Sequence, residues 1–192
     1  MKWIVLAIVL AIGPYTYLTL HFRKPGPAYL PYEDTKRRVT TGRLLSTGFQ
    51  RINLEVERPA DALHFAPPAD LVSAPGGLPA VLADAIVDQP VLPVSIDQVG
   101  AAGSMVSTRS YTIQFTCSLT DNHEQLAGSQ LFRRDGEIYI VPSFEKLDSG
   151  LLARTRDSSI LLTVPAGLLK PGHYAVRLVG ARSSRQWTLQ VH

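Results

Sequence analysis

Cysteine is almost absent from the 192-residue chain, whose single example is Cys117. One cysteine excludes an internal disulfide, so an exported domain would depend on its hydrophobic core for stability. Cys117 falls on the apolar side of a predicted strand, and we interpret it as a small core residue rather than a reactive thiol. The five histidines show no metal-ligand spacing.

Catalytic motifs are also absent. The chain contains no G-x-S-x-G, Walker, H-E-x-x-H, C-x-x-C or C-x-x-C-H sequence, the common signatures of hydrolases and of nucleotide, zinc and haem sites. The polar run at 121–124 could ligate a divalent ion, but it has the composition of a turn. Glu145 and Asp148 could act as an acid and base pair only if a cleft brought them together. We therefore expect no enzyme activity, no cofactor and no metal.

Charge is missing from Trp3 to Leu20. A helix of this length spans roughly 27 Å, close to the roughly 30 Å of a bilayer core, so we predict a single transmembrane anchor over residues 1–22. A cleaved signal peptide is the alternative, although no A-x-A-like site closes the run. Pro14, Tyr15 and Tyr17 in this segment are candidate contacts to another membrane subunit.

Basic residues follow the apolar run. Residues 21–51 contain seven Lys and Arg and two acidic residues, a net charge of 7 − 2 = +5, whereas residues 52–192 sum to 11 − 14 = −3. The positive-inside rule would keep this side cytoplasmic, but a chain that inserts as an uncleaved signal would export it. We favour an exported, periplasmic domain anchored in a bacterial-type inner membrane. The basic stretch at 36–43 suits anionic lipid head groups better than nucleic acid.

The segment at 23–50 has the composition of a basic, Pro-containing strap, in which a short helix over 33–46 is possible. Beyond it, apolar and polar residues alternate with the period of β-strands at 52–56, 94–96, 111–119, 160–164, 174–179 and 186–191. Asp135-Gly136 predicts a two-residue hairpin turn. A Pro-rich loop at 63–93 separates the first strands, and residues 80–88 within it could form two helical turns. Residues 51–192 thus predict a mainly β domain, an antiparallel two-sheet sandwich of about seven strands.

The sequence Leu-Lys-Pro-Gly-His-Tyr at 169–174 resembles the tyrosine corner of immunoglobulin-like and fibronectin type III-like Greek-key sandwiches. The resemblance implies that Leu169 packs under the arch between the sheets and that Pro171 and Gly172 turn the chain. It also implies that the Tyr174 hydroxyl bonds back to the backbone. The same tail looks like the exported β-domain of some membrane-anchored anti-sigma factors, but this chain lacks their zinc module ahead of the anchor. The likeness therefore implies an architecture and no activity.

Few side chains are candidates for partner contact in the β-domain. Arg133 and Arg134, at the hairpin tip, would form a basic contact patch if the fold gathered further arginines there, and otherwise serve solubility. Tyr139 shares a strand face with Val141, and an exposed pair would offer a partner-binding surface. Trp187 alternates with polar neighbours and is predicted to be a core anchor.

Two functions remain open for such a chain. The favoured one is a non-catalytic, membrane-anchored accessory or assembly subunit of a larger membrane complex, interacting through its span and its β-sandwich. The alternative is a free-standing exported binding module for an envelope component or ligand. Co-purification of partners after mild extraction would favour the first.

Overall fold

The computed structural model describes residues 2–22, 31–59, 65–147 and 155–192. Part of the predicted strap (23–30), the first residues of the Pro-rich loop (63–64) and Asp148 lie outside these ranges. The chain divides into two compact units, residues 1–35 and 36–192.

The first unit contains helix α1 (Lys2–His21). No helix in the described ranges is both long enough and apolar enough to cross a bilayer, which contradicts the predicted transmembrane anchor over residues 1–22. The described side chains of α1 lie mostly in its second half, where Gly13, Pro14, two tyrosines and two threonines replace the aliphatic sequence. Pro14 is exposed, as are Tyr15 and Tyr17.

The second unit is mainly β. Two further helices are α2 (Pro31–Ser46), of which residues 36–46 belong to this unit, and α3 (Ala80–Ala85). Both lie in segments where a helix was considered from the sequence. The described strands are β1 (Gln50–Glu57), β2 (Val72–Pro75), β3 (Ser95–Ala101), β4 (Ser104–Met105), β5 (Tyr111–Ser118), β6 (Glu124–Arg134), β7 (Glu137–Lys146), β8 (Asp157–Val164), β9 (Gly172–Leu178) and β10 (Ser183–Val191).

These strands form one curled sheet with the shape of a half-barrel, in the order β2-β10-β9-β7-β6-β1-β8-β5-β3, and β4 pairs with β10. Strand β1 joins the two halves of the sheet. Its first part, Gln50 to Leu54, pairs with β6, and its second part, Glu55 to Glu57, pairs with β8.

The prediction of two separate antiparallel sheets with about seven strands is therefore wrong in detail, although the mainly β class is confirmed. The two layers are continuous because β1 is long enough to pair on both sides. Two pairings, β7 with β9 and β4 with β10, are parallel. Strand β2 lies within the segment predicted to be a Pro-rich loop, at the edge of the sheet beside β10.

The predicted hairpin turn is present between β6 and β7. Asp135 has φ 48° and Gly136 has φ 92°, and successive positive φ angles define the type I′ turn that matches the twist of paired strands. The strands on either side pair from Arg134 with Glu137 to Glu124 with Lys146.

The main core fills the concave side of the sheet with aliphatic and aromatic residues from both halves. Trp187 on β10 is 2% exposed, and its indole N–H donates to the Tyr111 hydroxyl at 3.2 Å. That hydroxyl in turn donates to the Ala102 carbonyl at 2.7 Å. The hydrogen bonds satisfy the polar ends of two large buried rings.

A second apolar cluster covers the outer face of the sheet. Helices α2 and α3 contribute Leu44, Leu82 and Ala85. These residues pack with Phe49, with the strand residues Phe132 and Val141, and with Val179 just after β9. Strand β7 is therefore covered on both faces, and its continuous apolar sequence is typical of a doubly buried strand.

Cys117 is buried in the main core, and its Sγ lies 3.7 Å from the Ser158 carbonyl oxygen. Burial, together with nearby Asp97, raises the pKa of this thiol to about 12, and burial likewise raises the pKa of Tyr111 to about 12. The folded state thus keeps both groups neutral at pH values where the unfolded chain ionises them.

The stability from these groups is accordingly expected to be complete below pH 9. It should fall towards pH 12, from about pH 9 for Cys117 and from about pH 10 for Tyr111, by up to about 1.4 kcal/mol per pH unit for each group. Replacing Cys117 by alanine should reduce this slope while Tyr111 retains its part. Urea unfolding at several alkaline pH values measures the slope, and an unchanged slope in the variant would contradict the assignment.

Candidate functional site

A cleft of about 390 Å³ opens beside the edge strand β3. Its apolar wall and floor are formed by the segment that precedes β2 and by residues of β3 and β5, and its polar rim includes a guanidinium from β10. The lining residues are Phe65, Pro67, Leu71, Asp97, Gln98, Val99, Gly100, Gln114, Phe115, Thr116 and Arg185. An apolar cavity with a few convergent polar groups is the usual form of a binding site.

Both ends of the β3 edge are covered by the chain itself. At one end, Arg185 donates from Nε to the Ile96 carbonyl at 2.9 Å and from Nη2 to the Asp97 carbonyl at 3.2 Å. At the other end, the Ala101 amide donates to the Ala66 carbonyl at 3.2 Å. The section between them, Gln98 to Gly100, lines the cleft.

A bulge between Ile96 and Gln98 shapes this edge. The Asp97 carboxylate accepts a hydrogen bond from the Ser95 hydroxyl at 2.9 Å, and Ser118 Oγ lies 3.0 Å from its other oxygen. The Gln98 amide donates to Thr116 Oγ1 at 3.2 Å. Bulges re-aim side chains at sheet edges, and these bonds hold the rim of the cleft in place.

Gly100 brings two segments unusually close together. A Cβ at this position would lie 2.6 Å from the Cβ of Phe65 and 2.7 Å from its carbonyl oxygen. Only glycine therefore allows the 65–67 segment to form the wall of the cleft. A glycine inside a strand often marks such a close approach of another backbone.

The two hairpin arginines are held by their own chain. Arg133 donates to the Leu168 carbonyl at 2.8 Å and also bonds to the side chain of Gln50. The Arg134 guanidinium lies 4.7 Å from the centre of the Phe49 ring and 3.7 Å from the Glu137 carboxylate. These contacts fix the turn against its surroundings.

Tyr139 does not lie on an open face, and the expected exposure of its neighbour is wrong because Val141 is only 2% exposed. The Tyr139 ring packs against Phe49 at a centroid distance of 6.2 Å, and its hydroxyl donates to Glu137 at 3.1 Å. Partial burial and this carboxylate raise the pKa of Tyr139 above its ordinary value. The outer cluster of α2 and α3 includes Val141, and the half-buried Tyr139 packs against it.

The polar run at 121–124 forms a turn in which Asp121 accepts the His123 amide at 2.7 Å. Glu124 is buried, and Glu145 accepts a hydrogen bond from Gln125 at 2.8 Å. Within residues 2–22, 31–59, 65–147 and 155–192, the structure shows no cluster of three or more His, Cys, Asp or Glu side chains suited to a metal ion.

The segment Leu169 to Tyr174 forms a turn, closed by a side-chain hydrogen bond, at the start of β9. The Tyr174 hydroxyl donates to the Lys170 carbonyl at 2.9 Å, and Leu169 is buried in the main core. Pro171 precedes Gly172, the first residue of the strand. The segment thus ties the turn before β9 to the strand itself.

Replacing Tyr174 by phenylalanine should lower the free energy of unfolding by about 1 kcal/mol, the typical net contribution of one hydrogen bond. The matched control is Tyr139→Phe, which removes a hydroxyl bonded to an exposed carboxylate and should have a smaller effect. Chemical denaturation of both variants measures the difference. Equal losses would contradict a special role for the corner.

No protein-family model, curated protein or solved structure matches the chain significantly. The assignment of a site therefore rests on the geometry of the described residues.

The cleft was missed in the sequence because its walls come from distant segments, 65–71, 97–100, 114–116 and 185. One signal was present. The small residues Gly100 and Ala101 at the end of the strand indicate a close approach of another backbone.

Proposed function

We propose that the β-domain is a non-catalytic interaction domain, acting as an accessory or assembly subunit of a larger complex, and that it binds an extended segment of its partner at the β3 edge. The observation that carries the proposal is the section Gln98 to Gly100, which lines the cleft between two covered ends of the strand and in which Gln98 is exposed. This function does not require a transmembrane span.

Backbone alternation supports a peptide as the ligand. The Ala101 amide points away from β5 towards Ala66, so Val99, two residues earlier, places its backbone groups on the same side of β3. An extended segment can therefore pair with Val99, as in other cases where a peptide adds to a sheet edge.

The adjacent cavity supplies selectivity for one side chain of that segment. Phe65, Leu71 and Val99 offer apolar contacts, and Thr116 and Arg185 lie at the polar rim. An aliphatic or aromatic side chain would gain about 25 cal/mol for each Å² of apolar surface removed from water. The pairing gives affinity and the cavity gives specificity.

The proposal includes an immunoglobulin-like or fibronectin type III-like ancestry for the domain. The Tyr174 bond to the Lys170 carbonyl supports it, as do the neighbouring strands β3, β5 and β8 and the antiparallel pair of β9 and β10. The joined sheets and the parallel pairing of β7 with β9 are departures from that pattern.

The second candidate is a free-standing binding module in which the same cleft takes a small ligand or envelope component. The cavity volume of about 390 Å³ favours it, since this lies within the range of small-molecule sites. An exported location remains a prediction for either candidate.

A photoreactive amino acid at Gln98 tests the first candidate, with the same substitution at exposed Gln190 on β10 as the control. We expect one discrete protein adduct from position 98 in the native cell and none from position 190. In a second experiment, Gln98→Trp fills the cleft and should abolish binding of the identified partner, whereas Gln190→Trp should not.

Equal adducts from both positions, or binding that survives Gln98→Trp, would contradict partner docking at the β3 edge. Saturable protection by a small molecule, with no protein adduct, would favour the second candidate instead.

A further inference from the structure

Basic residues are concentrated from the middle of α2 to the start of β1, after the acidic first turn of that helix. Five basic residues and no acidic residue lie between Lys36 and Arg51. Lys36 pairs with Asp88 at 2.8 Å, but in the described ranges Arg37, Arg38 and Arg51 take part in neither of the two ion pairs that are formed. Their charge is available to an external anion.

A second cavity, of about 370 Å³, lies beside these residues and is independent of the cleft at β3. Arg51 and Thr41 line it together with an apolar floor that includes Leu44, Phe49 and Ile52. Partial burial and the charge of Arg37 lower the pKa of the Arg51 guanidinium. Arg51 thus supplies a guanidinium to the lining of an apolar cavity, and Arg37 lies one helical turn before Thr41, another lining residue.

The helix adds an exposed apolar side chain to the same side. Arg37, Thr41 and Leu45 are spaced by four residues, which places them on one side of α2. Leu45 is 69% exposed and lines the cavity. Cations beside an exposed aliphatic residue are the features of a surface that meets anionic lipid.

We propose that this surface binds the phosphate of an anionic phospholipid head group between Arg37 and Arg51, with Leu45 contacting the upper part of the acyl chain. Guanidinium groups bind phosphate oxygens through paired, charge-assisted hydrogen bonds. The apolar floor and Leu45 favour a lipid over free phosphate, because free phosphate has nothing to place there.

Thermal unfolding of the full chain with short-chain, monomeric dihexanoyl phosphatidylglycerol tests the site without a bilayer. We expect a saturable rise in Tm that weakens with salt. Dihexanoyl phosphatidylcholine and inorganic phosphate, at the same concentrations, should have much smaller effects. The double variant Arg37→Gln/Arg51→Gln should bind at least about tenfold more weakly, since two charge-assisted contacts are lost.

The matched control is Arg156→Gln/Arg182→Gln, which removes the same charge at exposed positions elsewhere and should bind as the unmodified chain does. If the Arg51 substitution impairs folding, the exposed single variants Arg37→Gln and Leu45→Gln should each still weaken binding. The proposal is overturned by the absence of a saturable shift, by an equal response to the choline lipid or to phosphate, or by equal affinities of the double variant and its control.

Discussion

Replacing Trp187 by alanine should lower the free energy of unfolding by about 4 kcal/mol, within the range for deletion of a large aromatic ring from a core. Trp187 is among the largest fully enclosed side chains of the described residues and lies in the main core, so its removal leaves a cavity where the layers meet. The substitution also removes the donor that bonds to the Tyr111 hydroxyl. Chemical denaturation followed by circular dichroism measures the loss.

Two controls separate packing from hydrogen bonding. Trp187→Phe keeps most of the ring but loses the indole N–H, and should cost about 1 to 2 kcal/mol. Trp3→Ala removes an exposed indole from α1 and should leave the unfolding of the β-domain unchanged. A Trp187→Ala loss no larger than that of Trp187→Phe would show that the cavity collapses and that packing at this position is weak.

Replacing Gly76 by alanine should cost about 3 kcal/mol, at the upper end for overpacking, because the obstacle is backbone. A Cβ at position 76 would lie 2.3 Å from the Arg182 carbonyl carbon and 2.4 Å from the Ala181 carbonyl oxygen. Neither atom can move without displacing the turn between β9 and β10. We expect β2 to detach from β10, with faster hydrogen exchange at the amides of Val72 to Ala74.

The control is Gly103→Ala, because a Cβ at position 103 meets no atom within 4 Å. This variant should retain the stability of the parent chain within about 0.5 kcal/mol. If Gly76→Ala and Gly103→Ala lose similar stability, the close approach of the two turns has no energetic importance.

The strands could be predicted from the sequence because each has its own local alternation of apolar and polar residues. The alternation from Tyr111 to Cys117 matches the buried side of β5, and Asp135-Gly136 supplies the left-handed backbone of the hairpin. The burial of the outer face of β7 was harder to predict. Tyr139 and Val141 were expected to be exposed, but α2 and α3 pack over them, and such packing between distant segments leaves no periodic signal.

The N-terminal error and the missed cleft have different causes. The anchor over residues 1–22 was inferred from an absence of charge, which does not distinguish strongly apolar residues from the Tyr- and Thr-containing half of α1. The cleft depends on Phe65 meeting Gly100 and on Arg185 reaching the carbonyls of β3. Contacts across such separations depend on the topology, which a single sequence does not specify.

The position of β1 at the junction of the two halves constrains the order in which the protein can form during synthesis. Residues 55–57 can pair only after β8, more than 100 residues later, has been synthesised. Likewise, β2 can pair only after β10 has been synthesised. Contacts this distant in sequence make folding slow and leave unpaired strand edges on the nascent chain. The curled sheet can therefore close only after β10 has left the ribosome, so the β-domain should fold only once all of its strands have been synthesised.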